Sequence, residues 1–225
     1  MKRALLSGAL AVVCVAANAQ TIVYQNLQTV TAASYRMASG ANSSLEWGDQ
    51  VSLAGTDRSI INVRTILQVQ GTGLGAYDFD ITLGFRNLDG ASNSPGTLIG
   101  GQTTYQVRGL NEGTGGTAAA YFLDLPVANI VVPNDFAVMF QLARVGGNTG
   151  GVGVQFTNDD AEVGASDPTF FWRETAAGSG TYGTFNFGTT PSANMALELT
   201  AVPEPASMAV LGLGVAALIR RRKKA

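Results

Sequence analysis

The chain has 225 residues, with no histidine, a single cysteine and only three lysines. Without histidine, the Ser-His-Asp and Cys-His nucleophile systems cannot be assembled, and the usual zinc sites lose their nitrogen ligand. Hydrolysis by paired carboxylates stays open to such a chain. The cysteine, Cys14, lies in an apolar run near the N-terminus. The remainder therefore holds neither disulfides nor thiol chemistry, and must be stabilised by a core, by bound ions, or by both. The lysines are Lys2, Lys223 and Lys224, so residues 20–202 contain none. A phosphate-binding P-loop needs a lysine, and the glycine-rich runs are therefore not nucleotide sites.

Counting residues 20–202 alone reveals a charge that the whole chain conceals. The segment has seven arginines (Arg36, Arg58, Arg64, Arg86, Arg108, Arg144 and Arg173) and fifteen acids, so 7 − 15 gives −8, against −2 for the full sequence. An acidic surface repels phosphates, which argues against nucleic acid and anionic membrane as partners. Polysaccharide, divalent cations and basic proteins stay compatible with it, and solubility alone is a sufficient reason for the charge.

The two ends differ sharply from this middle. Residues 1–19 read as an export signal, with a charged start at Lys2 and Arg3 and an apolar run from Ala4 to Ala16. Ala17-Asn18-Ala19 then fits the small-x-small cleavage rule, with Ala17 and Ala19 at the positions that signal peptidase reads. The secretion translocon is the partner this segment requires. Lipid attachment at Cys14 would need a small residue before it, and Val13 stands there instead.

At the other end, Pro203-Glu204-Pro205 is followed by an uncharged stretch from Ala206 to Ile219 and then by Arg220, Arg221, Arg222, Lys223 and Lys224. As a helix, those fourteen residues would cover roughly 21 Å, short of the ~30 Å hydrocarbon core. Ser207, Gly212 and Gly214 weaken the stretch further. The basic cluster favours the cytoplasmic side, so the segment suits a stop-transfer role with transient inner-membrane insertion better than a permanent anchor. This order of parts resembles the PEP-CTERM sorting signal of bacterial surface proteins from Gram-negative-type organisms, with the motif standing as Val202-Pro203-Glu204-Pro205. The resemblance implies recognition by a membrane-embedded exosortase, which cuts near the motif and releases or transfers the protein outward.

Between the two signals, period-two alternation recurs and period-3.6 stretches are absent. The clearest strands are Ile61 to Gln70, with Ile61, Val63, Leu67 and Val69 on one face, Phe79 to Arg86, and Phe136 to Leu142. Further strands are expected at 22–25, 45–53, 103–107, 120–125, 152–156, 169–173, 181–187 and 195–201, separated by glycine-rich connectors. Short half-buried strands at this spacing predict an all-β fold, a sandwich of two antiparallel sheets spanning 20–202. Eight or more strands favour a jelly-roll arrangement. Ile81 to Gly100, ITLGFRNLDGASNSPGTLIG, is similar to a strand-loop-strand of the jelly-roll domains that often precede such anchors. A signal helix and a sorting helix are expected to flank the sandwich.

Three groups of residues are candidates for chemistry. Asp159, Asp160 and Glu162, with Asp167 nearby, could supply oxygens to calcium, and so could Asp78, Asp80 and Asp89. Neither group has the spacing of a known calcium loop, and turns favour Asp for local bonding anyway. No other cofactor is indicated. Phe171, Trp172 and Tyr182, with Trp47, could form a stacking platform for sugar rings. The alternative is that Phe170 and Trp172 share the core while Phe171 sits against a loop. Asn42-Ser43-Ser44 fits a glycosylation triplet, a match with little meaning in a bacterium. No pair of carboxylates declares itself catalytic. The leading expectation is a non-enzymatic surface or matrix protein associated with exopolysaccharide. A carbohydrate-binding module stands second, and a carboxylate-dependent glycan hydrolase or lyase third.

Overall fold

The structure, a computed structural model, describes residues 20–27, 45–70, 75–147, 150–157, 160–185 and 194–203. Within these residues the strands are β1 (Thr21–Gln25), β2 (Glu46–Ser52), β3 (Ser59–Val69), β4 (Tyr77–Arg86), β5 (Leu98–Leu110), β6 (Ala119–Val131) and β7 (Asp135–Gly147). They continue with β8 (Val152–Val154), β9 (Phe156–Thr157), β10 (Ala165–Glu174), β11 (Tyr182–Thr184), β12 (Asn194–Met195) and β13 (Leu197–Val202). One sheet runs β1-β13-β3-β6, with β8 alongside the far end of β3; the other runs β11-β10-β2-β7-β4-β5. The short β9–β12 ladder joins them, and every ladder is antiparallel.

Alternation explains why these segments pair as they do. On β4, Phe79, Ile81, Leu83 and Phe85 all point inward, and on β7 Phe136, Val138, Phe140 and Leu142 do the same. The first sheet answers with Val63, Leu67, Val69, Leu197 and Leu199, which share one continuous core with them. Edge-to-face contacts between Phe85 and Phe136 (5.6 Å) and between Phe156 and Phe171 (5.2 Å) lie inside it. Such ring pairs add about 0.5–1.5 kcal/mol each beyond the burial of their surface. A two-sheet antiparallel sandwich is therefore present, as the periodicity predicts.

The details differ in places. The register of β3 shifts between Ile60 and Asn62 against β6, so Ile60 takes the core position expected of Ile61. A bulge moves one residue out of the alternation, and a period-two reading cannot foresee it. β5 and β6 run far beyond 103–107 and 120–125. β5 contains Gly100, Gly101 and Gly109 at positive φ, while β6 is an edge strand that tolerates Pro126. The expected strand at 152–156 is divided into β8 and β9, and that at 195–201 into β12 and β13. The expected signal and sorting helices fall outside the described residues, and among the described residues no helix is long and apolar enough to cross a membrane.

Candidate functional site

Each face of the six-stranded sheet carries a buried carboxyl from β2, and the two are surrounded differently. Across the outer face runs a row of paired positions: Trp172, Gly48, Met139 and Gly84, ending at Gln102. A Cβ at Gly48 would overlap the Val138 carbonyl and the Met139 sulfur, and one at Gly84 would crowd Gln102 and Leu98. The two glycines thus leave a shallow trough, which larger neighbours fill. Trp172 and Tyr182 pack there over Ala137 and Met139, forming a second apolar cluster with Leu88 at its edge.

Within that cover Glu46 meets a guanidinium. Arg86 donates from Nε (2.9 Å) and Nη2 (3.1 Å) to the two oxygens of Glu46, and from Nη1 to the Gly96 carbonyl (2.9 Å). Gln102 Nε2 and the Tyr182 hydroxyl donate to Glu46 as well. Glu174, also buried, accepts from the Glu46 amide (3.3 Å) and from the Gly180 amide (2.9 Å). Burial alone would lower the Arg86 pKa, but the hydrogen bonds and charge of Glu46 overcome it and hold it above its ordinary value. Burial beside Glu46 pushes the Tyr182 phenol up, so it remains a donor at all physiological pH. The polar atoms of the cluster are engaged with one another and with backbone groups.

On the inner face Asp49 sits in the core between Trp47 and Val51, fully buried. Its Oδ2 accepts the Met195 amide at 2.8 Å, while Oδ1 has no hydrogen-bond partner among the described residues. Burial raises its pKa to about 8, against backbone bonds from Met195 and Gln50 that lower it, with the charge of Asp167 adding to the rise. At neutral pH the side chain is therefore mostly a neutral acid. Tyr24, buried nearby, is raised by burial and by Asp49, and its hydroxyl accepts from Asn26 Nδ2 at 3.0 Å. Asn26 in turn accepts the Leu197 amide, so this polar knot ties β1 to β13.

The residues expected to carry chemistry are placed as follows. Phe171 goes inward to the main core, against Phe156 and Trp47, whereas Trp172 and Tyr182 lie on the outer face under their own cover. All four aromatics are buried: Trp47 at 0%, Phe171 at 1%, Trp172 at 4% and Tyr182 at 7% exposure. The stacking platform therefore loses the open face it requires. The alternative packing is corrected too, because Phe171 is the core residue and Trp172 takes the opposite face, as alternation demands. Of the calcium candidates, Asp159 lies outside the described residues, and Asp160 and Glu162 are exposed. Asp167 is engaged by the amide and hydroxyl of Thr169.

Asp78 and Asp80 lie toward one end of β4, with Asp78 accepting the Gly109 amide and Asp80 paired to Arg108 at 2.6 Å. Asp89 lies beyond the other end of β4, held below the ordinary carboxylate range by hydrogen bonds from Thr97. The strand separates this trio, so it is no common site. Among the described residues no group of three or more acidic, histidine or cysteine side chains could hold a metal ion. Asn42-Ser43-Ser44, the expected cleavage residues Ala17 and Ala19, and Glu204, Pro205 and Arg220 to Lys224 all lie outside the described residues.

The C-terminal junction is described as far as Pro203. β13 is not an edge strand: it pairs with β1 on one side and β3 on the other. Its last residue, Val202, faces Ser59, and Thr21 at the start of β1 faces Ala201. Pro203 has no amide hydrogen and follows at once, so the ladder ends where the motif begins. Residues 201–223 match the family described as the PEP-CTERM protein-sorting motif. This suggests an exported, exosortase-sorted protein with a cell-surface or extracellular fate. No curated protein and no solved structure matches the chain.

Sequence reasoning did not foresee the Glu46 cluster or Asp49. For Asp49 a signal existed: Trp47, Asp49 and Val51 alternate, which puts an acid on the apolar face.

Proposed function

We propose that this chain is a non-enzymatic surface or extracellular-matrix protein, delivered by exosortase and associated with exopolysaccharide through a jelly-roll-like ectodomain. The observation that carries the delivery half is the match at 201–223, which begins within β13 and leaves no spacer between domain and motif. The jelly-roll reading is supported by a chain that changes sheet at nearly every connection, from β1 to β2 to β3 to β4 and again from β5 through β8. In favour of a non-enzymatic role, two carboxylates that come near each other among the described residues, Glu46 and Glu174, are buried and occupied by Arg86, Gln102, Tyr182 and backbone amides. A glycosidase pair needs two acids facing a cleft with room for substrate. The acidic, lysine-free composition suits a polysaccharide matrix, while the burial of Trp47, Phe171, Trp172 and Tyr182 withdraws support from aromatic sugar stacking.

Cell fractionation tests the reading. Wild-type protein is expected at the surface or in the medium. A variant lacking Pro203-Glu204-Pro205 is expected to stay in the inner membrane. Equal release of both would overturn the sorting role.

A further inference from the structure

The two ends of the sandwich domain leave it side by side. Thr21 and Ala201 are register partners, and Val202 faces Ser59, which faces Val131 on the other side. The 53–58 and 132–134 connections carry the chain between the sheets at this same end. One pole of the molecule thus holds both points at which apolar sequence segments attach.

Both attachments are short. From Val202 to Ala206, where the uncharged stretch begins, the chain advances four residues and reaches at most roughly 14 Å. From Ala16 to Thr21 it advances five and reaches at most roughly 18 Å. The headgroup layer of one leaflet takes up about 5–8 Å of either span. Peeling β13 away cannot lengthen the tether cheaply, since β13 is held by ladders to both β1 and β3. Asn26 locks it further by exchanging hydrogen bonds with Leu197.

We propose that this pole is a membrane-facing surface, held against the lipid headgroups by the sorting tail and freed when the tail is cut. The proposal rests on the sorting role given above. Its surface is suited to contact without strong attraction. Val131 and Ile22 are exposed there, at 53% and 40%. Among the described residues the cation of the pole is Arg58, which is turned back on its own loop: it donates to the carbonyls of Asp57 (2.9 Å) and Gly55 (2.9 Å) and to Asn134 Oδ1 (2.8 Å). Asp57 precedes it in the chain, and Asp135 accepts from its partner Asn134 (3.3 Å). Among the described residues of this pole nothing basic is offered to anionic lipid, so the tether and not affinity enforces the contact. Once the chain is cut within 203–205, a domain of charge −8 leaves a negatively charged surface without hindrance.

Thiol accessibility tests this in the full-length chain carrying Cys14→Ser, in spheroplasts of cells without exosortase activity. Thr56→Cys reports on the 53–58 pole and Thr114→Cys on the exposed turn at the opposite end, between β5 and β6. With a bulky, membrane-impermeant maleimide, Thr114→Cys is expected to label readily and Thr56→Cys several-fold more slowly. Inserting about ten Gly/Ser residues between Val202 and Pro203 adds roughly 18 Å of mean reach and is expected to bring the two rates together. Equal rates without the insert, or slow Thr56→Cys labelling that persists with it, would overturn the proposal. If neither site labels until the membrane is permeabilised, the domain has not been exported, and the sorting role itself fails.

Discussion

Glu46 and Asp49 lie three residues apart on the same strand, both carboxyl groups are buried, and they face opposite sides of the sheet. Glu46 is met by the Arg86 fork, an amide and a phenol. Asp49 is met by backbone amides and has no cation, and its pKa rises to about 8. Equal burial therefore has unequal consequences. An opposite charge makes the Glu46 site a brace that clamps β2, β4, β5 and β11 together. Its absence makes Asp49 a neutral acid whose ionisation works against the fold.

The largest effect expected from this contrast is in the pH dependence of stability. Folded Asp49 keeps its proton up to about pH 8. In the unfolded chain it releases the proton near pH 4. Between those values the folded state binds more protons, so the contribution of Asp49 to stability falls as pH rises, by up to about 1.4 kcal/mol per pH unit. Asp49→Asn cannot titrate. Denaturant melts from pH 4 to 8 should show the variant gaining on wild type at each step, and parallel curves would break the comparison. Next in size is Arg86→Ala, which leaves Glu46 buried without its cation and should lower stability by about 3 kcal/mol. Tyr182→Phe removes one donor from the same carboxylate and should cost about 2 kcal/mol in the same assay. The smallest change is expected at Arg64, whose pairing with Asp124 (3.5 Å) and stacking on Phe122 (5.2 Å) lie on an open sheet face. Arg64→Ala should stay within about 1 kcal/mol of wild type. A loss there as large as at Arg86 would show that burial is not what separates the two pairs.

Much of this architecture is legible in the sequence because alternation is a local signal. Phe79-Asp80-Ile81-Thr82-Leu83 announces both a strand and its buried face, and β4 follows it residue for residue. The β3 bulge is not legible, since Ile60 and Ile61 are equally apolar and only the ladder to β6 selects between them. Nor is the Glu46–Arg86 pair. Its members are forty positions apart on strands that are not even neighbours, since β7 runs between them. The aromatic run Phe170-Phe171-Trp172 invited a surface reading because sequence shows that neighbours face opposite ways, but not that Trp172 is buried with Tyr182 on the outer face of this sheet. The sorting motif was readable for another reason: an enzyme recognises it as a linear string, so its meaning does not wait for the fold.

The fold adds the position of that string. β13 occupies a place inside the sheet and ends at the residue before Pro203, so the domain is complete only when its final strand has arrived, and the motif begins where its hydrogen bonds stop. The most direct measurement is the intact mass of the exported protein. The account predicts a chain that starts at Gln20 and ends after Val202 within or just beyond 203–205, with β13 whole and Arg220 to Lys224 gone. A mature protein that keeps its basic tail, or one cut inside 197–202, would contradict it.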